Sequence, residues 1–188
     1  MNVPAEAVTA LRAGEVVGVP TDTVYGLAVD PLDPRAVARL FQLKGRPADR
    51  PIALLVASRE QAGRLVRFGT EAGRLADRHW PGALTLVLPV LGRLPEWVGD
   101  RVAGTVGVRM PAGEPVHSLL EAAGPLAVTS ANRSGSDPAL DDVEAEAMFG
   151  DAVKVYLPGT CPGGVASTVV DATGSRLRVV REGPIRVD

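Results

Sequence analysis

Hydroxyls, a carboxylate and one aromatic ring gather at positions 20–27, where PTDTVYGL follows an apolar run ending at Val19. Thr21, Asp22, Thr23 and Tyr25 could bind or deprotonate a small polar ligand, or form a capped turn in which Asp22 or Thr23 satisfies backbone amides and Tyr25 packs. A second cluster, KGRPADRP at 44–51, sets Lys44, Arg46 and Arg50 on a segment stiffened by Pro47 and Pro51. Cations beyond a helix end can neutralise phosphates, or simply complement the helix dipole. Arg109 closes the apolar stretch TVGV at 105–108, a position that suits a planar fork for a carboxylate or phosphate as well as an ordinary surface ion pair. TSANRSG at 129–135 is a run of small hydrogen-bonding residues of the kind that contacts nucleotides or makes a turn. Ser167 and Thr168, then Arg181-Glu182-Gly183, add hydroxyls and a cation at the ends of late strands.

Other chemistries are poorly supplied. The single cysteine, Cys161, cannot form an internal disulfide, and with His79 and His117 as the only histidines a zinc site lacks ligands. Cys161 reads as a loop residue. No G-x-x-x-x-G-K-[ST] phosphate loop, G-x-G-x-x-G turn or G-x-S-x-G elbow occurs. A formal net charge of −2 argues against bulk attraction to nucleic acid, so phosphate chemistry would need a focused site. Lys44 and Lys154 are the only lysines among 20 cations, and a lysine kept among arginines hints at a need for a compact ammonium.

These residues need a scaffold, and 188 residues with 46% hydrophobic and 22% charged side chains suffice for one domain without a metal or disulfide staple. We expect a single domain over 1–188. No apolar stretch is long enough to span a bilayer, and Glu6 interrupts any signal-like N-terminus, so a cytoplasmic protein without membrane association is expected. Helices are predicted from Pro4 to Gly14 and over 33–44, 71–79, 114–122 and 143–149. Another should start at Ser58, in capping-box spacing with Gln61, and run to about Phe68. Strands are predicted over 15–19, 52–56, 83–88, 105–110, 126–130, 153–157, 167–171 and 177–181. Early interleaving followed by late consecutive strands implies an α/β protein with a mixed, twisted open sheet flanked by helices. The polar clusters then fall at strand ends, where such sheets form their ligand crevice.

In this order, PTDTVYGL, KGRPADRPIALLV, HWPGALTLVL, VGVRMP, TSANRSG, STVVD and REG resemble the YrdC family of threonylcarbamoyl-adenylate synthases over nearly the whole chain. The resemblance implies a twisted open sheet with a large concave basic cavity. It also implies synthesis of L-threonylcarbamoyladenylate and pyrophosphate from L-threonine, bicarbonate and ATP, with Mg accompanying ATP and no metal held by the protein alone. It places Thr23, Arg109 and Ser167, with the backbone near Val128, around threonine. Lys44, Arg46, Arg50, Thr105, Ser130, Asn132 and Arg181 fall around ATP, with Lys44 and Arg46 offsetting charge in the reaction. His79, Trp80, Pro81 and Gly82 match a structural motif. Asp22 and Tyr25 are candidates for a general base, and neither stands out.

Leu55 stands where some longer relatives carry histidine, while Thr129 and Ala166 replace common prolines. The chain resembles the form without an additional C-terminal domain. A separate transferase would then carry the product to tRNA, and a weak contact with tRNA or double-stranded RNA would be compatible. The alternative is a paralogous RNA-binding or ribosome-associated module without synthase activity. Retention of both the hydroxyl and the cation sets favours the enzyme, because an RNA groove needs positive charge but no threonine-sized pocket.

Overall fold

A computed structural model describes residues 5–45 and 51–187 of the chain. The helices are α1 (Ala5–Arg12), α2 (Pro34–Lys44), α3 (Arg59–Gly63), α4 (Thr70–His79), α5 (Val116–Ala123) and α6 (Asp142–Phe149). The strands are β1 (Val17–Val19), β2 (Gly26–Val29), β3 (Ala53–Leu55), β4 (Leu84–Pro89), β5 (Thr105–Arg109), β6 (Leu126–Ser130), β7 (Val155–Tyr156), β8 (Thr168–Asp171) and β9 (Arg178–Arg181). They form one sheet in the order β7-β1-β2-β6-β3-β5-β4-β8-β9. β7 on β1, β3 on β5 and β4 on β8 are parallel pairs, and the other neighbours run antiparallel. The expected mixed open sheet is therefore observed.

Local chemistry sets the helix ends. The Asp33 carboxylate accepts from the Arg35 N–H at 2.8 Å, Pro34 fits the first turn, and Gly45 closes α2 at φ 60°, a left-handed conformation that favours glycine. Ser58 Oγ accepts from the Gln61 N–H at 3.0 Å, whereas Gln61 Oε1 accepts from Ala57 N–H rather than from the cap residue. α3 is shorter than the sequence suggests. It ends at Gly63, Val66 then bridges to Val90, and Phe68 meets Trp80 edge-on at 5.9 Å.

Alternation along the strands separates two faces. Leu27 and Val29 of β2, Leu54 of β3, Leu84, Leu86 and Leu88 of β4, and Val106 and Val108 of β5 join buried residues of α2, α4 and α6 in the larger core. On the opposite face, Ala7, Ala10 and Leu11 of α1 and Val116, Leu119 and Leu120 of α5 cover Val17, Val19, Ala28, Leu55 and Leu126. That cover reaches only one end of the sheet. The rest of the face, from β3 towards β9, is the floor of a cavity.

β2 was not anticipated. Gly26-Leu27-Ala28-Val29 reads as the tail of a polar turn, yet it pairs with β1 on one side and β6 on the other and is buried throughout. Gly26 fits closely there: a Cβ would stand 2.9 Å from Val128 Cγ1 and force that side chain to shift.

Candidate active site

The cavity is about 870 Å³. Its floor is paved with small residues, Gly26, Ala53 and Gly107, which occupy the positions where larger side chains would fill the concavity. A Cβ at Gly107 would already meet Thr85 Cγ2 at 3.2 Å. Thr23, Lys44, Thr105, Arg109, Val128, Ser130, Asn132, Ser167 and Arg181 all line this one cavity, so segments widely separated in the chain converge. Arg46 and Arg50 lie outside the described residues. Of the described lining side chains, Lys44, Arg109, Arg178 and Arg181 are cationic, and Asp100 and Asp171 are carboxylates.

Arg109, at the end of β5, is buried and held from three sides. Nε donates to Gly82 O at 2.9 Å, Nη1 to Thr23 Oγ1 at 2.9 Å, and Nη2 to Asp22 Oδ1 in an ion pair. Each terminal nitrogen keeps one further hydrogen, the pair that a ligand carboxylate could engage. Burial lowers the proton affinity of the guanidinium, and the Asp22 carboxylate opposes that shift. The HWPG segment thus does more than pack: Trp80 Nε1 donates to Leu84 O at 2.7 Å, fixing the bend from which Gly82 presents its carbonyl to Arg109. Thr21 Oγ1 lies 3.0 Å from Thr23 Oγ1 and donates to Val24 O at 2.7 Å, while the Thr21 N–H donates to Cys161 Sγ at 3.3 Å. Cys161 is a loop residue, as expected, but a buried one that anchors this turn.

Neither candidate base reaches the cavity lining. Asp22 sits behind Arg109 and also accepts from the Ala112 N–H at 3.1 Å. Tyr25 is fully buried, its hydroxyl donates to Leu157 O at 2.7 Å, and burial pushes its proton affinity far above the ordinary tyrosine range. Both are scaffolding.

Lys44, the last residue of α2, is buried. Its ammonium donates to Ser130 O at 2.6 Å, Asn132 O at 2.9 Å and Asn132 Oδ1 at 2.9 Å. Ser130 Oγ donates to the same Asn132 Oδ1 at 2.6 Å, and Asn132 Nδ2 donates to Arg133 O and Ser136 O. The cation therefore braces the loop after β6 while bordering the cavity. Thr105 opens β5, where its backbone exchanges hydrogen bonds with Asp100. Val128 lines the cavity from β6, where it pairs opposite Ala28 and Ala53.

On the far wall, Arg181 clasps Ser167: Nε and Nη2 donate to Ser167 O at 3.0 and 2.8 Å, and Nη2 also donates to Ser167 Oγ at 3.1 Å. Thr85, not singled out by the sequence, lies with its hydroxyl 2.8 Å from Ser167 Oγ. With Thr85 as donor, Ser167 accepts twice and its own hydroxyl hydrogen is left for a ligand. A bulge brings Arg181 here. Val170 pairs with Val179 and Val169 with Arg181, so Val180 is an extra residue that turns Arg181 onto the cavity face. The following segment is tied down, since Thr168 Oγ1 donates to Ile185 O at 2.8 Å and accepts from Ile185 N–H at 2.9 Å. Gly183 touches the backbone beneath it so closely that a Cβ would stand 2.3 Å from Thr168 N.

Comparison with known proteins identifies the family. A family model for the Sua5/YciO/YrdC domain, described as telomere recombination, matches residues 9–183. A Pyrococcus abyssi protein named threonylcarbamoyl-AMP synthase is 43% identical over 181 residues, covering 95% of this chain and 53% of the relative. One of the same name from Halorhodospira halophila is 41% identical over 161 residues, covering 84% of this chain and 83% of the relative. The crystal structure of P. abyssi Sua5 complexed with L-threonine matches with a TM-score of 0.86 at 40% identity, covering 94% of this chain and 53% of that one. The chain thus spans about half the length of the Pyrococcus proteins and most of the Halorhodospira one. With 175 residues inside the matched region, it belongs to the Sua5/YciO/YrdC family.

Proposed function

We propose that this chain is an L-threonylcarbamoyladenylate synthase, a nucleotidyltransferase that joins L-threonine, bicarbonate and ATP. The observation that carries the reading is the convergence, in one cavity of about 870 Å³, of the Arg109–Thr23 carboxylate pocket with the Lys44-braced Ser130–Asn132 loop. Relatives named for this reaction support it. In the reaction, the threonine amine gives up a proton and attacks the bicarbonate carbon, and water leaves as the carbamate C–N bond forms. A carbamate oxygen then attacks the α-phosphorus, and the bond to the pyrophosphate oxygen breaks.

Carbamate and triphosphate are both anions, so the chain's work is positioning and charge compensation. Arg109, Thr23 and Ser167 orient threonine. Lys44, with Arg181 and the sequence-assigned Arg46 and Arg50, offsets phosphate charge, while Thr105, Ser130 and Asn132 offer polar contacts to the nucleotide. Magnesium enters as part of the MgATP substrate, held mainly by phosphate oxygens and water. Among the described residues, no group of three or more His, Cys, Asp or Glu could hold a metal. The product would pass to a separate transferase acting on tRNA. The RNA-module alternative is less favoured, because an RNA groove has no use for a buried, three-point-fixed Arg109. Incubation with ATP, threonine and labelled bicarbonate tests the reading: an acid-labile labelled adenylate is expected, and its absence from folded, ligand-binding protein would remove the synthase assignment.

A further inference from the structure

Among the described residues, Asp22 is the one carboxylate in an ion pair with either of the two guanidinium groups at one end of the cavity, Arg109 and Arg181. Continuing the β4–β5 register one residue past Leu86–Val108 sets Arg109 beside Thr85. Thr85 touches Ser167, and Ser167 is clasped by Arg181. Arg109, Thr85, Ser167 and Arg181 thus form a row across β5, β4, the start of β8, and β9. Two strand spacings, about 10 Å, separate the β5 and β8 positions. Arg109 keeps one hydrogen on each terminal nitrogen, and Arg181, whose Nε and Nη2 are engaged, keeps both hydrogens of Nη1. The charge on Arg181 is felt at Arg109, where it disfavours protonation. A single carboxylate would leave one of these forks without an anionic partner.

We infer that this row is a dicarboxylate subsite, which takes the α-carboxylate of the amino-acid carbamate on Arg109 and its carbamate carboxylate on Arg181 and Ser167. The inference rests on the synthase reading and deepens it: the ligand for which the site is shaped is the dianionic carbamate, not the amino acid. Arg181 then acts on the amino-acid side, rather than only on the nucleotide side to which the sequence resemblance assigned it. Threonine alone would engage the Arg109 half, and formation of the N–C bond would bring the second half into use. Such a site favours the carbamate over free threonine and offsets its tendency to revert to amine and carbon dioxide.

Succinate has the same four-atom spacing between carboxylates as an amino-acid carbamate, and it is chemically stable. Its binding can be measured by calorimetry without turnover, so the outcome is independent of whether the adenylate assay succeeds. Succinate should bind at least tenfold more tightly than butyrate, which lacks one carboxylate. It should also bind more tightly than malonate, glutarate or sulfate, and should be displaced by threonine. Arg181→Gln should remove the preference of succinate over butyrate, while Arg181→Lys should restore part of it. Equal binding of succinate and butyrate by the wild-type protein would overturn the subsite whether or not the variants fold. Sulfate matching succinate would do the same, by reducing the effect to charge. Survival of the succinate preference in folded Arg181→Gln would take Arg181 out of the subsite.

Discussion

Arg109 and Lys44 are both buried cations, but they are held in different ways, and the consequences of their loss differ. Arg109 is fixed by Gly82 O, Thr23 and Asp22, so Arg109→Ala removes a charge-assisted contact to the threonine carboxylate. Threonine binding should weaken by roughly 1.5 to 3 kcal/mol, about ten- to a hundredfold, which a threonine titration at saturating ATP measures. An unchanged threonine dependence with a large effect on ATP would transfer the residue to the nucleotide. Lys44 is tied to three oxygens of the Ser130–Asn132 loop. Lys44→Ala should nearly abolish turnover, and Lys44→Arg should be impaired as well, because a planar fork cannot fill a compact ammonium's place. Wild-type rates in both variants would make it a bystander. Tyr25 provides a pH readout. Its folded-state proton affinity is raised from the ordinary value of 10.0 by burial, so its contribution to stability is complete below pH 10 and is lost as pH rises above that. Tyr25→Phe should flatten this alkaline loss in denaturant titrations. At neutral pH it should cost about 1 to 3 kcal/mol, by leaving Leu157 O without its donor, and the threonine dependence should stay unchanged.

At the scale of elements, the segment after β9 has an outsized role because it lies directly against the start of β8. Gly183→Ala would force a Cβ to within 2.3 Å of Thr168 N and 2.6 Å of Ala166 O, both backbone atoms that cannot step aside. Overpacking of this kind costs about 1 to 3 kcal/mol. Because the same backbone carries Ser167, a fall in melting temperature should accompany a rise in KM for threonine. A stability loss without any kinetic change would show that the strap and the site are uncoupled. Much of the element pattern was legible in the sequence. α2 could be read from Asp33, Pro34 and Gly45, which act locally, and β4, β5 and β6 from short, mainly apolar runs. β2 was not legible, because its four residues follow a polar turn and their strand character comes from neighbours far away in the chain. The truncation of α3 has a similar origin: Val66 is taken by Val90, a partner supplied only by the fold.

At the scale of the whole molecule, the cavity exists because α1 and α5 cover only one end of a sheet face whose exposed middle is paved by Gly26, Ala53 and Gly107. Of the described cations that face that hollow, Lys44, Arg109 and Arg181 were readable from their motifs, and Arg178 was not. What orients them was not: Asp22, Gly82 and Thr85 act through contacts that cross the sheet, and nothing in their spacing announces them. Tyr25 shows the converse, a residue of reactive type whose chemistry is closed off by burial. An open cavity that rejects serine only by a missing methyl should discriminate by about 1 to 3 kcal/mol. Serine should therefore yield a measurable but minor amount of adenylate beside threonine. Purified protein alone should leave unmodified tRNA unchanged, and modification without an added transferase would reveal a transfer site beyond those assigned here.

The bulge at Val180 gives β9 an arithmetic of its own. Arg178 and Arg181 are an odd number of positions apart, which on an unbroken strand would send them to opposite sides of the sheet, yet both face the cavity. Parity is restored by the one residue that the ladder does not count. Deleting Val180 should therefore leave both arginines facing the cavity, on a regular strand. Inserting one residue beside it makes the separation four, which is also even, so a strand that absorbs the bulge keeps Arg181 on the cavity face but slides it two positions along β8, away from its place opposite Val169. Both changes of length thus preserve the face, and only the shorter chain preserves the place. Succinate binding should survive the deletion and weaken in the insertion, and equal behaviour of the two would show that the site does not depend on where along the strand Arg181 stands.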